Sequence, residues 1–178
     1  MLNENSKENL MARVFLSLGS NKGDRLANIQ QAVSMLGMTE DINIVKTSSF
    51  YETEPWGNPE LKWFLNATLA LDTNLKPLDL LKFCQSIEMK LGRDKIHEKW
   101  QDRTIEIDIL MYDSMIINES NILNIPHPYM HERAFVLVPM LELKSDLIHP
   151  VLNKTMNDLY EELENPEDVF LYGTVLPR

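Results

Sequence analysis

One cysteine, six glycines and a shortage of basic side chains mark this 178-residue chain. With a single thiol no disulfide can close within the chain, and a cysteine-rich zinc site is excluded. No apolar run is long enough to span a bilayer, so no transmembrane helix is expected. The start, MLNENSKENLMA, is polar and acidic and lacks the charge, apolar stretch and small-residue site of a secretory leader. The expected location is therefore the cytoplasm. Lys plus Arg number 17 against 27 Asp plus Glu, a formal net charge of −10. That balance speaks against general binding of nucleic acid or of anionic membranes, and any anion must be held by a local cluster of cations. Neither G-x-x-x-x-G-K-[ST] nor G-x-G-x-x-G occurs, so a bound nucleotide would not sit in a P-loop or a dinucleotide-binding turn.

What is present is ordinary globular material. Hydrophobic residues make up 44% and charged residues 25%, enough to build one core. The reading is one domain over 12–163, with 1–11 as a disordered extension and 164–178 as a tail holding a short strand at 169–172. Alternation of apolar residues predicts strands at 14–18, 44–51, 63–71 and 104–112. Leu26, Ile29, Val33 and Leu36 share one helical face between Asp24, a natural N-cap, and Gly37. Leu80, Cys84, Ile87 and Leu91 do the same between Pro77 and Gly92. A rigid turn is expected at 125–128, a helix interrupted by Pro139 at 131–143, and a helix at 155–163 with Thr155 and Asp158 as a capping box. The order β-α-β-β-α-β indicates an α+β fold of the ferredoxin-like plan, an antiparallel sheet with helices on one face and extra C-terminal helices.

Two features bear on chemistry. In the run RTIEIDIL (103–110), Ile105, Ile107 and Ile109 face one way, and Glu106 and Asp108 the other. The two carboxylates stand about 6–7 Å apart along the strand. Hard oxygen ligands so spaced suit Mg²⁺, although spacing alone favours a solvated acidic face. Before that strand, Arg93, Lys95, His97, Lys99 and Arg103 gather among acids, and Arg133 adds a cation beside His127 and His131. Cations beside a metal site are what a nucleoside triphosphate needs, while a solvated mixed-charge loop remains the plainer reading of the cluster by itself. Cys84 belongs to the core, whereas Trp56, Trp100, Phe64 and Phe135 are candidates for stacking on a flat ring.

The motifs LSLGSNKGD (16–24), SSFYETEPWG (48–57), FLNA (64–67), IE-x₃-GR (87–93), RTIEIDIL and IPHPYMHERAFVLVP (125–139) occur in this order. Together they resemble the 6-hydroxymethyl-7,8-dihydropterin pyrophosphokinases of folate biosynthesis, over about residues 13–152. The resemblance implies transfer of a pyrophosphoryl group from ATP to the pterin, release of AMP, and two Mg²⁺ ions. It implies Glu106 and Asp108 as metal ligands, and Arg93, Lys95 and Arg103 as catalytic cations. Gln85, Glu88, Lys99, His127 and Arg133 fall at ATP-binding positions. Thr53, Trp56, Phe64, Asn66, Trp100 and Phe135 fall at pterin-binding positions. The implied partners are these two small molecules, with no nucleic acid or membrane, and the expected state is a monomer. The chain departs from the family at Glu106 (where Asp is the rule), at Gln101–Asp102 (Gly-Pro) and at Tyr129 (often Arg). These departures keep open a non-catalytic relative that binds pterin or nucleotide. An RNA-binding ferredoxin-like module is opposed by the net charge.

Overall fold

The computed structural model describes residues 11–93, 101–119 and 122–173. The expected N-terminal extension therefore falls almost wholly outside the described residues. Among the described residues, eight strands and four α-helices follow in the order β1 (Ala12–Ser20), α1 (Arg25–Leu36), β2 (Ile42–Thr47), β3 (Phe50–Thr53), β4 (Phe64–Thr73), α2 (Pro77–Lys90), β5 (Glu106–Tyr112), β6 (Ile117–Glu119), β7 (Leu123–Ile125), α3 (Ala134–Lys144), α4 (Met156–Glu161) and β8 (Val169–Gly173). The main sheet runs β5-β1-β4-β3-β8, with β2 also on β4, and its pairs are antiparallel. Among the described residues, no helix is long and apolar enough to cross a membrane.

β1 is interior, between β5 and β4, and its last seven residues, Val14 to Ser20, are buried because both faces of the sheet are covered. On one face Leu16, Leu18, Leu69 and Ile107 pack against Ile29 and Leu36 of α1 and Leu80, Cys84 and Ile87 of α2. On the other, Phe15, Ala70, Leu110 and Met111 pack against Val136, Leu137 and Met140 of α3 and Met156 and Leu159 of α4. The two helices of the core, α1 and α2, share one face as expected, and the extra C-terminal helices cover the opposite face, where Phe15 and Ala70 present an apolar patch.

The long strand expected at 44–51 is two strands laid end to end along one edge of β4. They part at Ser48 and Ser49. The Ser48 hydroxyl accepts the Thr68 N–H at 2.8 Å, and the Ser48 N–H donates to the Thr68 carbonyl at 2.9 Å. Residue 125, expected in a turn, ends β7 of a short β6–β7 hairpin, and the peptide that follows, Ile125–Pro126, is cis. The segment read as a tail contributes β8, which pairs with β3 in the main sheet. Two helices start later than expected: a 3₁₀ turn, Met130–Glu132, precedes α3, and Thr155 is the cap of α4 and not its first residue. Pro139 lies inside α3, which runs on through it. The Thr155–Asp158 capping box is present in both directions.

Candidate active site

β5 lies at one edge of the sheet, and alternation along it sends Glu106 and Asp108 away from α1 and α2. The register slips by one residue between Phe15 and Leu16, leaving Leu110 as the extra residue of a bulge. Glu106 and Asp108 thus face the C-terminal half of the chain. They floor a cavity of about 540 Å³ with Phe64 and Asn66 of β4 and Thr53 of β3. Trp56 and Leu61 wall it from the β3–β4 connection, Gln101 and Arg103 from the approach to β5, and His127, Tyr129, Arg133 and Phe135 from the segment entering α3. A cavity of that size suits a small polar molecule.

One end combines a buried amide with aromatic rings. The Asn66 amide is buried, and its Nδ2 donates to Thr53 Oγ1 at 2.7 Å. Its Oδ1 passes so close to Gly19 that a Cβ there would stand 2.7 Å away. Beside it, the Arg133 guanidinium lies 4.7 Å from the Trp56 ring centre and 5.5 Å from those of Tyr129 and Phe135. Burial lowers the Arg133 pKa, opposed chiefly by Asp108. A guanidinium so perturbed is still a cation at neutral pH.

The other end carries charge. Arg103 is ion-paired with Glu106, and Arg93 reaches the same Glu106 oxygen at 3.5 Å while pairing closely with Glu88. The ending of α2 explains the position of Arg93. Gly92 takes φ +92, a conformation glycine adopts without a steric penalty. The Gly92 N–H then donates to Met89 O at 3.1 Å and the Arg93 N–H to Glu88 O at 3.0 Å, a Schellman motif that folds Arg93 back onto its own helix. Burial also lowers the Arg103 pKa, with the neighbouring Arg93 adding to it. The His127 imidazole is lowered mainly by burial, with Asp108 opposing and Arg133 assisting. Its Nδ1 accepts the Tyr129 N–H at 3.3 Å, which leaves the proton of the neutral ring on Nε2.

A second cavity, of about 420 Å³, opens on the far side of β5 and is lined by Leu81, Gln85, Glu88, Met89, Arg93, Ile107 and Asp108. Asp108 lines both cavities. Mg²⁺ prefers oxygen ligands and is usually held by one or two carboxylates together with substrate phosphates. Glu106 and Asp108 fit that role, and among the described residues no cluster of three acids or imidazoles forms a protein-only cage.

Of the residues singled out in the sequence, Thr53, Trp56, Phe64, Asn66, Arg103, Glu106, Asp108, His127, Arg133 and Phe135 meet in the first cavity. Gln85, Glu88 and Arg93 meet in the second. Lys95, Lys99 and Trp100 lie outside the described residues. The guanidinium of Arg133, expected at the phosphates, lines the first cavity beside Trp56, Tyr129 and Phe135. Asp102, an extra acid in the sequence, accepts a hydrogen bond from Asn21 Nδ2 at 2.9 Å. Glu54 and Pro128, which stand inside family motifs but were given no role, also line the first cavity, as does Leu61, which no motif includes.

The sequence model described as 7,8-dihydro-6-hydroxymethylpterin-pyrophosphokinase matches residues 15–145. The chain belongs to this family. It is 44% identical over 138 residues to the 2-amino-4-hydroxy-6-hydroxymethyldihydropteridine pyrophosphokinase of Methylorubrum extorquens, covering 78% of this chain and 86% of that protein. It is 39% identical over 152 residues to the Aquifex aeolicus protein of the same name, covering 85% and 92%. A crystal structure of wild-type Plasmodium falciparum HPPK-DHPS with pteroate superposes with a TM-score of 0.68 at 19% identity, covering 90% of this chain. The chain spans 43% of that longer protein, and the likeness there is one of fold.

Proposed function

We propose that this chain transfers the pyrophosphoryl group of ATP to the hydroxymethyl oxygen of 6-hydroxymethyl-7,8-dihydropterin, giving the pterin diphosphate and AMP. The observation that carries this reading is the first cavity, where a buried amide and aromatic rings adjoin the Glu106 and Asp108 carboxylates, two guanidinium groups and an imidazole. Family membership and the names of the related enzymes support it.

The attacking alcohol must meet the β-phosphorus in line with the leaving oxygen, so positioning and charge neutralisation dominate the barrier. Asn66 and Thr53 hold the pterin edge, because an amide presents both donor and acceptor. Phe64 and Phe135 flank the ring, with Trp56 beside them. Arg103 and His127 Nε2 donate to phosphate oxygens. Gln85, Glu88 and Arg93 line the nucleotide side of β5. Two Mg²⁺ ions at Glu106 and Asp108 would neutralise the phosphate oxygens. The strand order, with β1 between β5 and β4 and with β2 and β3 on β4, supports the ferredoxin-like plan. The setting is a monomer in the cytoplasm.

The test is incubation with ATP, Mg²⁺ and the hydroxymethyl pterin. AMP and pterin diphosphate should form in equal amounts. Pterin binding without AMP release would identify a non-catalytic relative.

A further inference from the structure

Asn21, in the turn between β1 and α1, is 2% exposed, and its polar groups reach two other loops. Its Nδ2 donates to Lys62 O at 3.2 Å and to Asp102 Oδ1 at 2.9 Å. Its Oδ1 accepts the Arg103 N–H at 2.6 Å, and its own N–H donates to Arg103 O at 3.0 Å. Arg103 is therefore gripped at both backbone groups by one residue. The turn around Asn21 is itself braced, since Asn28 Nδ2 donates to Ser20 Oγ at 3.2 Å and Lys22 O at 2.8 Å.

The ends of this clasp lead into the first cavity. Lys62 stands two residues before Phe64, and Arg103 carries the guanidinium that pairs with Glu106. Only an amide satisfies this arrangement. Alanine would leave a partly buried N–H, a carbonyl and a carboxylate without this partner. Aspartate would lose both donors and face the like charge of Asp102.

We propose that Asn21 is a positioning residue for the transfer reaction. With Asp102 as its partner, it fixes the Arg103 backbone relative to the Phe64–Asn66 wall, so that the Arg103 guanidinium meets the phosphates at the distance set by the bound pterin. This rests on the assignment of the cavity under Proposed function. It also gives Asp102 a task of its own, as an acceptor that orients the amide.

The experiment compares Asn21→Ala, Asn21→Asp, Asp102→Asn and the double variant Asn21→Asp/Asp102→Asn, each also with Arg103→Ala. kcat, KM for both substrates and Tm are measured. A misplacement of about 1 Å costs on the order of a hundredfold in rate. Asn21→Ala should lower kcat on the order of tenfold to a hundredfold while leaving KM for ATP nearly unchanged. Asn21→Asp should be worse. The double variant should recover much of the loss, because the amide introduced at position 102 can then donate to the carboxylate introduced at position 21. With Arg103→Ala, the Asn21 substitutions should add little further loss of kcat. Lower Tm with normal kcat would reduce Asn21 to a structural tie and overturn the proposal, as would full additivity with Arg103→Ala or normal turnover by Arg103→Ala itself. Should Asn21→Ala fail to fold, the rescue of Asn21→Asp by Asp102→Asn decides the matter, and absence of rescue overturns it. A wild-type protein that forms no AMP would instead sink the reading of the cavity.

Discussion

The Ile107 N–H donates to the Glu88 carboxylate at 2.7 Å, joining α2 to the strand that carries Glu106 and Asp108. An edge strand leaves N–H groups unpaired on its outer side, and a side chain from the adjacent helix takes one of them. Glu88 also holds Arg93, so one buried carboxylate locks helix, edge strand and cation together. Burial raises its pKa, with Arg93 and the Ile107 N–H opposing. Glu88→Ala should cost about 3 kcal/mol, since it removes the close partner of a partly buried cation and leaves a buried N–H without its acceptor. Glu88→Gln keeps the acceptor and should cost clearly less. Denaturant titration of both checks this, and equal losses would show that the Ile107 bond contributes nothing.

Asp108 makes no ion pair among the described residues, whereas Glu106 is held by Arg93 and Arg103. The two carboxylates should therefore respond differently. Asp108→Ala should lower turnover on the order of a thousandfold, with Tm within a degree or two of wild type. Glu106→Ala should lower both turnover and Tm, because it also takes an ion-pair partner from Arg103 and from Arg93. Steady-state rates and melting curves distinguish the cases. Near-normal turnover by Asp108→Ala would remove it from the metal site.

Much of this site was legible because β5 alternates. The period of two that sets Ile105, Ile107 and Ile109 against Glu106 and Asp108 separates the two faces of the strand by itself. Which helices cover each face was not legible, because that depends on the long-range docking of α3 on Phe15 and Ala70. The break between β2 and β3 was hidden too. Ser48 replaces a ladder step with a side-chain hydrogen bond, which leaves no mark in hydrophobic periodicity. β6 and β7 have three residues each, too few for a pattern. Asn21 stood within a recognised motif, yet its role depends on Lys62, which carries no signal of its own, and on Asp102, which stood out only as a departure from the family, and both are distant in sequence.

His149 is 4% exposed, and its Nδ1 accepts the N–H groups of Val151 at 3.3 Å and Leu152 at 3.2 Å. Burial lowers its pKa below the ordinary histidine value, and the neighbouring His131 adds to this. The unfolded chain takes up the proton at an ordinary pKa of about 6.5. The contribution to stability is thus complete above that pH and declines as pH falls from there toward the lowered folded value. Tm should drop between about pH 7.5 and 5.5, and His149→Asn, which keeps an acceptor but does not titrate, should drop less. Identical pH profiles for the two proteins would remove His149 as a cause.

Gly19 pairs with Asn66 across β1 and β4, and the Asn66 Oδ1 occupies the space where a side chain on residue 19 would begin. The added Cβ of Gly19→Ala would stand 2.7 Å from that oxygen, too close for any real contact. The amide cannot yield freely, because Nδ2 is held by Thr53 Oγ1 and the side chain is 4% exposed. The strand also resists, since β1 is paired on both sides. The rotation of the Asn66 amide should therefore give way first, turning its donor and acceptor away from the pterin. Affinity for the hydroxymethyl pterin should fall on the order of tenfold to a hundredfold, as for loss of one or two hydrogen bonds. Affinity for an ATP analogue should change far less, because Gln85, Glu88 and Arg93 lie beyond β5. Calorimetric titration with each ligand separates the two effects. Equal weakening of both would mean that the substitution distorts the sheet as a whole, and unchanged pterin affinity would mean that Asn66 does not hold the ring.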